Sequence, residues 1–175
     1  MASQLESMAV ELRLRPAEAR LSFLAIAYHL ARPGSELDPE TKLPVQHGLA
    51  EVSSALQPQL RQAAAGITLS AHQMERLSSA ILGAINELKV YPMLEPRPPE
   101  EGGGRRSTVP GFDRTLRHLF PEVEDDPDEA TALIEPLMGL KRRFDGALRQ
   151  AGQEEQRLAP SPRRHPWWRF WRQGR

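Results

Sequence analysis

The sequence predicts an all-α protein, a small helical bundle of five to six helices with a flexible Pro/Gly linker and a disordered C-terminal tail. Three observations lead there. Apolar residues recur at helical spacing in several stretches, bracketed by helix start and stop signals. No alternating strand pattern of useful length and no Asn-Gly or Asp-Gly hairpin signal stands out. The 16 Pro and 12 Gly gather outside the periodic stretches. At 175 residues and 39% hydrophobic, the chain fits one domain with appendages, part of it folded and part not.

Residues 3–14 read as a weakly amphipathic helix, with Leu5, Met8, Ala9 and Leu12 at helical spacing. Pro16 suits the first position of a second helix, where its missing N–H costs nothing. That helix runs to about Ala31, and Arg32-Pro33-Gly34 stops it. Its apolar residues, Leu21, Phe23, Leu24, Ile26, Ala27, Tyr28 and Leu30, cover most of the circumference, which places it at the centre of the body. A loop from Gly34 to Pro44 follows. Val45 to Leu56 is the next periodic stretch, and Pro58 either kinks it or starts a new turn that reaches Ala65, with Gly66 as its end.

The clearest helix begins at Ser70. Ser70 and Gln73 form an S-x-x-Q capping box, and Leu69 with Met74 has the spacing of a hydrophobic staple. Its apolar face is Met74, Leu77, Ile81, Ala84, Ile85 and Leu88, and Pro92 closes it. Glu95 to Pro110 holds four Pro, three Gly and no apolar residue except Val109. Such a stretch buries too little to offset its ordering entropy, so it reads as a flexible linker. A short helix from Phe112 to Phe120 follows. Asp126-Pro127-Asp128-Glu129 then starts a last helix, with Asp as cap and Pro first. Pro136 should kink it, and Gly152 should end it.

The expected organisation is a main helical bundle over 1–92, a linker over 93–111, a helical segment over 112–152 packing on the bundle, and an Arg/Trp-rich tail over 153–175.

Composition excludes several chemistries. With no Cys there is no disulfide framework, Cys-ligated zinc, iron–sulfur cluster or thiol nucleophile. The longest apolar run, Leu21 to Ala31, is interrupted by Ser22 and His29 and falls short of the roughly 18 residues needed to span a bilayer. Glu6 and Glu11 stand where a signal peptide needs a basic and then an apolar region, and residue 2 is Ala, which rules out N-myristoylation. The expectation is a cytoplasmic protein. The Arg and Ala bias points to a bacterial source.

His29, His47, His72, His118 and His165 are isolated in sequence, without metal-ligand spacing. His29 lies in the most apolar stretch and calls for a partner. Gly102-Gly103-Gly104-Arg105-Arg106-Ser107-Thr108 resembles a phosphate loop only superficially, since its flanks are Pro-rich and the Lys is missing. Seven acids and no base lie between Glu122 and Glu135. They lack the spacing of a calcium loop and read as helix-capping acids, with Lys141, Arg142, Arg143 or the tail as partners. No catalytic motif, cofactor or metal site emerges, and the chain reads as non-enzymatic.

The net charge is zero, yet the last 19 residues, RLAPSPRRHPWWRFWRQGR, hold six Arg and no acid. All three Trp of the chain are there. The candidate binding residues are Arg163, Arg164, Trp167, Trp168, Arg169, Phe170, Trp171 and Arg172. Trp favours the membrane interface, and Arg is drawn to anionic lipid. The same residue types serve as hot spots that dock a partner protein, and as stacking and phosphate contacts for nucleic acid. Against the last, the body has no complementary basic surface. Folding back as a cap on the bundle is the plainer alternative. The function expected is that of an interaction or adaptor protein held by its tail to an anionic membrane surface, peripheral at its inner face, or to a partner protein. Homodimerisation and a nucleic-acid-associated role stand as further alternatives.

Overall fold

The computed structural model describes residues 9–38, 40–45 and 48–158. The chain is mostly helical with one two-stranded antiparallel sheet. The elements are β1 (Ala9–Leu14), α1 (Pro16–Ala31), α2 (Leu49–Leu56), β2 (Ala65–Ser70), α3 (Ala71–Val90), α4 (Phe112–Leu119), α5 (Glu122–Asp125), α6 (Glu129–Ala132) and α7 (Ile134–Leu158).

The sheet corrects the all-α expectation. Residues 9–14 form a strand where helical spacing predicts a helix, and Ala65 and Gly66 open a strand where a helix end is expected. The register pairs Val10 with Leu69, Leu12 with Ile67 and Leu14 with Ala65. These residues alternate with Glu11, Arg13, Gly66 and Thr68, the period of a half-buried strand. Each strand alone is too short for the pattern to stand out. Pairing across half a hundred residues of intervening chain overrides the weak helical spacing of Met8, Ala9 and Leu12.

α1 starts at Pro16 as expected, and the Glu18 carboxylate accepts the Arg15 backbone N–H at 2.8 Å. The Ser70–Gln73 capping box is present in both directions, at 3.0 and 3.1 Å, and Leu69 and Met74 are both fully buried. α2 begins only at Leu49, because Gly48 caps it and Pro44 is held in a bridge with Leu37.

α3 is the central element. α1 and α7 pack along it, α2 and α4 pack on α1, and the sheet rests against α2 and the start of α3. Tyr28 of α1 meets Phe112 of α4 edge to face, with centroids 5.7 Å apart at 84°. Its ring lies so close to Gly83 of α3 that a Cβ there would overlap it.

Two expected features of the last helix move. Pro136 sits in the first turn of α7, where its N–H would lack an intrahelical partner anyway, so the chain breaks before Ile134 instead of kinking at the proline. At the other end α7 passes through Gly152 and takes in residues 153–158. Gln153, Glu154, Glu155, Gln156 and Arg157 are all good helix formers and offset one glycine.

The 93–111 stretch, for which composition predicts a flexible linker, has definite hydrogen-bond partners. The Arg97 N–H donates to the Gly104 carbonyl at 2.8 Å, and the Arg106 N–H to Glu95 at 2.9 Å, which closes a loop. Gly102, Gly103 and Gly104 turn its tip with φ of 94°, 63° and 77°, a region that favours glycine in succession.

Candidate functional site

The residues proposed from sequence as the binding element, Arg163, Arg164, Trp167, Trp168, Arg169, Phe170, Trp171 and Arg172, lie outside the described residues, as do His47 and His165. What is described up to that point is α7, whose last core-packed side chains are Ala147 and Leu148. From Arg149 to Leu158 the helix rises about 15 Å further. Arg149, Gln150, Gln153, Glu154 and Arg157 are exposed there.

Five polar networks tie the helices together. The first surrounds Asp113, which is 4% exposed. One carboxylate oxygen accepts the Tyr91 hydroxyl at 2.6 Å and the Arg105 backbone N–H at 3.0 Å. The other accepts Arg117 Nε and Nη2 at 3.3 and 3.2 Å. Burial and the bond to Asp113 push the Tyr91 hydroxyl well above the usual tyrosine range. The Arg105 side chain donates to the Pro92 and Leu94 carbonyls, and so staples the loop to the end of α3. A Cβ on Gly104 would collide with the Asp113 carboxylate, a second reason for glycine there.

The second network is built on Glu87, also buried. Its carboxylate accepts the Ser107 hydroxyl at 2.6 Å, the Thr108 N–H at 3.0 Å and the Thr108 hydroxyl at 2.8 Å. The Gly-Arg-Ser-Thr run that mimics a phosphate loop is thus bound to helix carboxylates. Its hydroxyls donate to Glu87, which is an arrangement for holding a loop and not for cradling an anion.

The third joins α1 to α7. Glu18 accepts Arg143 Nη1 at 2.9 Å and Arg15 Nη2 at 3.0 Å, while Arg143 also donates to the Arg13 carbonyl at 2.6 Å. Burial pushes the Glu18 carboxyl up, but the Arg15 hydrogen bonds and the Arg143 and Arg15 charges outweigh it, and the net position is below the usual range. Between α3 and α7, Asp145 accepts the Ser78 hydroxyl and Lys141 Nζ, each at 2.6 Å. Burial again pushes upward, and the bonds from Lys141 and Ser78 with the Lys141 and Arg149 charges bring the net below the usual value.

Both carboxyls therefore bind protons less readily in the folded chain than in the unfolded one. Their stabilisation is complete above the unfolded values, about 3.9 for Asp and 4.3 for Glu, and is lost as pH falls through the lower folded values. We expect the urea midpoint to fall steadily from pH 4.3 downward, and more gently in Glu18→Gln. Equal slopes for the two proteins in a pH series would show that Glu18 does not contribute.

The fifth network gives His29 its partner: Nε2 lies 2.8 Å from Glu36, with Arg76 Nη1 3.7 Å from the same oxygen. Arg76 Nε donates to His72 Nε2 at 2.8 Å, which places the His72 proton on Nδ1. Of the partners expected for the acidic run, Arg142 pairs with Glu135 at 2.6 Å, whereas Lys141 and Arg143 turn to Asp145 and Glu18. Glu124 pairs instead with Arg117 at 3.1 Å. Among the described residues no three His, Asp or Glu side chains gather as a metal site, and no helix is long and apolar enough to cross a membrane.

A groove of about 960 Å³ lies between the start of α1, residues 57–63 and the end of α4. Arg20, Arg61 and His118 line it, over Phe23, Leu60 and Leu119. Sequence reasoning missed it, because its parts lie on three distant segments. The one local signal is the acid-free run from Gln57 to Ser70.

No protein-family model, no curated protein and no solved structure matches this chain.

Proposed function

We propose that this chain is a non-enzymatic helical adaptor whose C-terminal tail anchors it to an anionic membrane surface from the cytoplasmic side. The observation that carries the reading is the run from Arg163 to Arg172, where three Trp and Phe170 interleave with Arg163, Arg164, Arg169 and Arg172. Each Arg near an anionic surface contributes about 1 kcal/mol, and Trp rings settle at the headgroup level. Rings and charges act together, since interfacial binding strength scales with buried apolar area plus attraction to anionic lipid. The exposed end of α7 supports the reading, since among the described side chains of α7 none after Leu148 packs on the hydrophobic core. The role of the folded part is to present whatever the membrane-held protein recruits.

The test is co-sedimentation with anionic and with neutral vesicles, comparing the full chain, a chain ending at Leu158, and Trp167→Ser/Trp168→Ser/Trp171→Ser. We expect the full chain to sediment with anionic vesicles only, and both variants to stay in solution. Single-stranded RNA and DNA are added as competitors at two salt concentrations. Displacement by RNA or DNA would favour the nucleic-acid reading. Absence of vesicle binding by the full chain would sink the membrane anchor and leave a tail that docks a partner protein.

A further inference from the structure

The groove lined by Arg20, Arg61 and His118 is built from residues between Pro16 and Pro121. Its chemistry is lopsided. Among the described residues, no Asp or Glu lines it. Arg117, Lys141, Arg142 and Arg143 elsewhere each face a carboxylate. Arg61 and His118 are exposed and have no partner among the described residues. Arg20 is held in place by donating Nη1 to the Leu119 carbonyl at 3.3 Å and by lying 5.3 Å from the Phe120 ring centroid. Its other N–H groups remain for a ligand. Beneath these side chains lies an apolar floor, with Leu119 buried and Phe23 and Leu60 half-buried.

Cations without acids over an apolar floor complement a molecule with an anionic head and an apolar body. We propose that the groove binds a single-chain anionic lipid, its headgroup held by Arg61, His118 and Arg20 and its chain laid over Phe23, Leu60 and Leu119. The guanidinium forks match phosphate geometry, and a neutral His118 still offers one ring N–H. The volume of about 960 Å³ is at the upper end of the roughly 300–1,000 Å³ usual for small-ligand sites. A lipid suits the walls better than an extended peptide. Pro16, Pro58 and Pro121 line the groove, and proline has no backbone N–H to pair with a peptide strand.

The experiment uses the full chain, isotopically labelled, titrated with dodecyl phosphate below its micelle threshold and followed by NMR. Inorganic phosphate, dodecylphosphocholine and an acidic pentapeptide, Glu-Glu-Phe-Glu-Glu, are titrated in parallel. Dodecyl phosphate is expected to move the His118 ring and the Leu60 and Leu119 amides saturably, and the other three probes far less. Arg61→Glu should weaken this binding at least tenfold with the melting temperature unchanged, since Arg61 is exposed. His118→Glu provides a second variant of the same sign. Trp167→Ser/Trp168→Ser/Trp171→Ser should leave the groove shifts as they are, which separates this site from the tail. Shifts confined to residues 159–175 would overturn the proposal, and so would unchanged affinity in both charge variants. Equal response to inorganic phosphate would reduce the groove to a simple anion site. Tighter seating of the pentapeptide would reassign it to a partner protein.

Discussion

Replacing Asp113 by alanine is expected to cost the fold about 3–5 kcal/mol, the range for removing one member of a buried charged pair. The reason lies in what the carboxylate leaves behind. The Tyr91 hydroxyl, the Arg105 backbone N–H and the Arg117 guanidinium all point at a carboxylate in a site 4% exposed. Removing the acceptor strands these donors without water, and each neutral one costs about 1–3 kcal/mol unmade. Arg117 keeps part of its stabilisation, through Glu124 at 3.1 Å and the Gly102 carbonyl at 3.3 Å. The expected shift in melting temperature is about 6–20 °C downward for a chain of this length. Tyr91→Phe alone removes one donor and should cost only about 1–2 kcal/mol. In Asp113→Ala/Tyr91→Phe the total should therefore be less than the sum of the two, because the stranded hydroxyl is gone. Urea unfolding of the four proteins of this cycle provides the measurement. A loss below about 1 kcal/mol in Asp113→Ala would mean that water reaches the site and the network is ornamental.

The same network shows where sequence reasoning reached and where it stopped. Features that act within one turn of chain were readable: Pro16 at the start of α1, and the Ser70–Gln73 box ahead of α3. Their physics is local, so neighbouring residue types suffice. The Pro- and Gly-rich stretch was read from its lack of apolar side chains, and that reading had no access to Asp113 or Glu87. Few apolar contacts hold this loop. Two buried carboxylates on flanking helices capture its backbone and hydroxyl donors. β1 and β2 escape for a related reason, since Leu12 and Ile67 are paired across the length of chain that carries α1 and α2. The groove combines residues near positions 20, 60 and 120, and no spacing rule connects those. The tail is the opposite case, in which residue chemistry alone carries the whole reading.

Phe144→Ala is the other large effect expected, again about 3–5 kcal/mol, and it decides what holds α7 to the body. Two kinds of contact compete for that role. Leu137, Leu140 and Phe144 form an apolar seam, each 0–2% exposed, spaced at i, i+3 and i+7 on one face of the helix. Alongside it run the Arg143–Glu18 and Lys141–Asp145–Ser78 clamps. The clamps are partly solvent-exposed, and exposed ion pairs usually contribute about 0–1 kcal/mol. Deleting the Phe144 ring removes its burial and leaves a cavity against α3 that the seam cannot close. The seam should therefore dominate. Phe144→Ala is expected to lower the melting temperature by about 6–20 °C, and Asp145→Asn or Arg143→Ala by only a few degrees. Because α7 leads directly into the tail, the substitution also separates two properties. Anionic vesicles should still capture Phe144→Ala at a temperature where its body has begun to open, since the residues proposed to bind them lie beyond Leu158. A clamp substitution that destabilises as much as Phe144→Ala would reverse the order of these forces. Loss of vesicle capture in step with unfolding would place the anchor within the folded body.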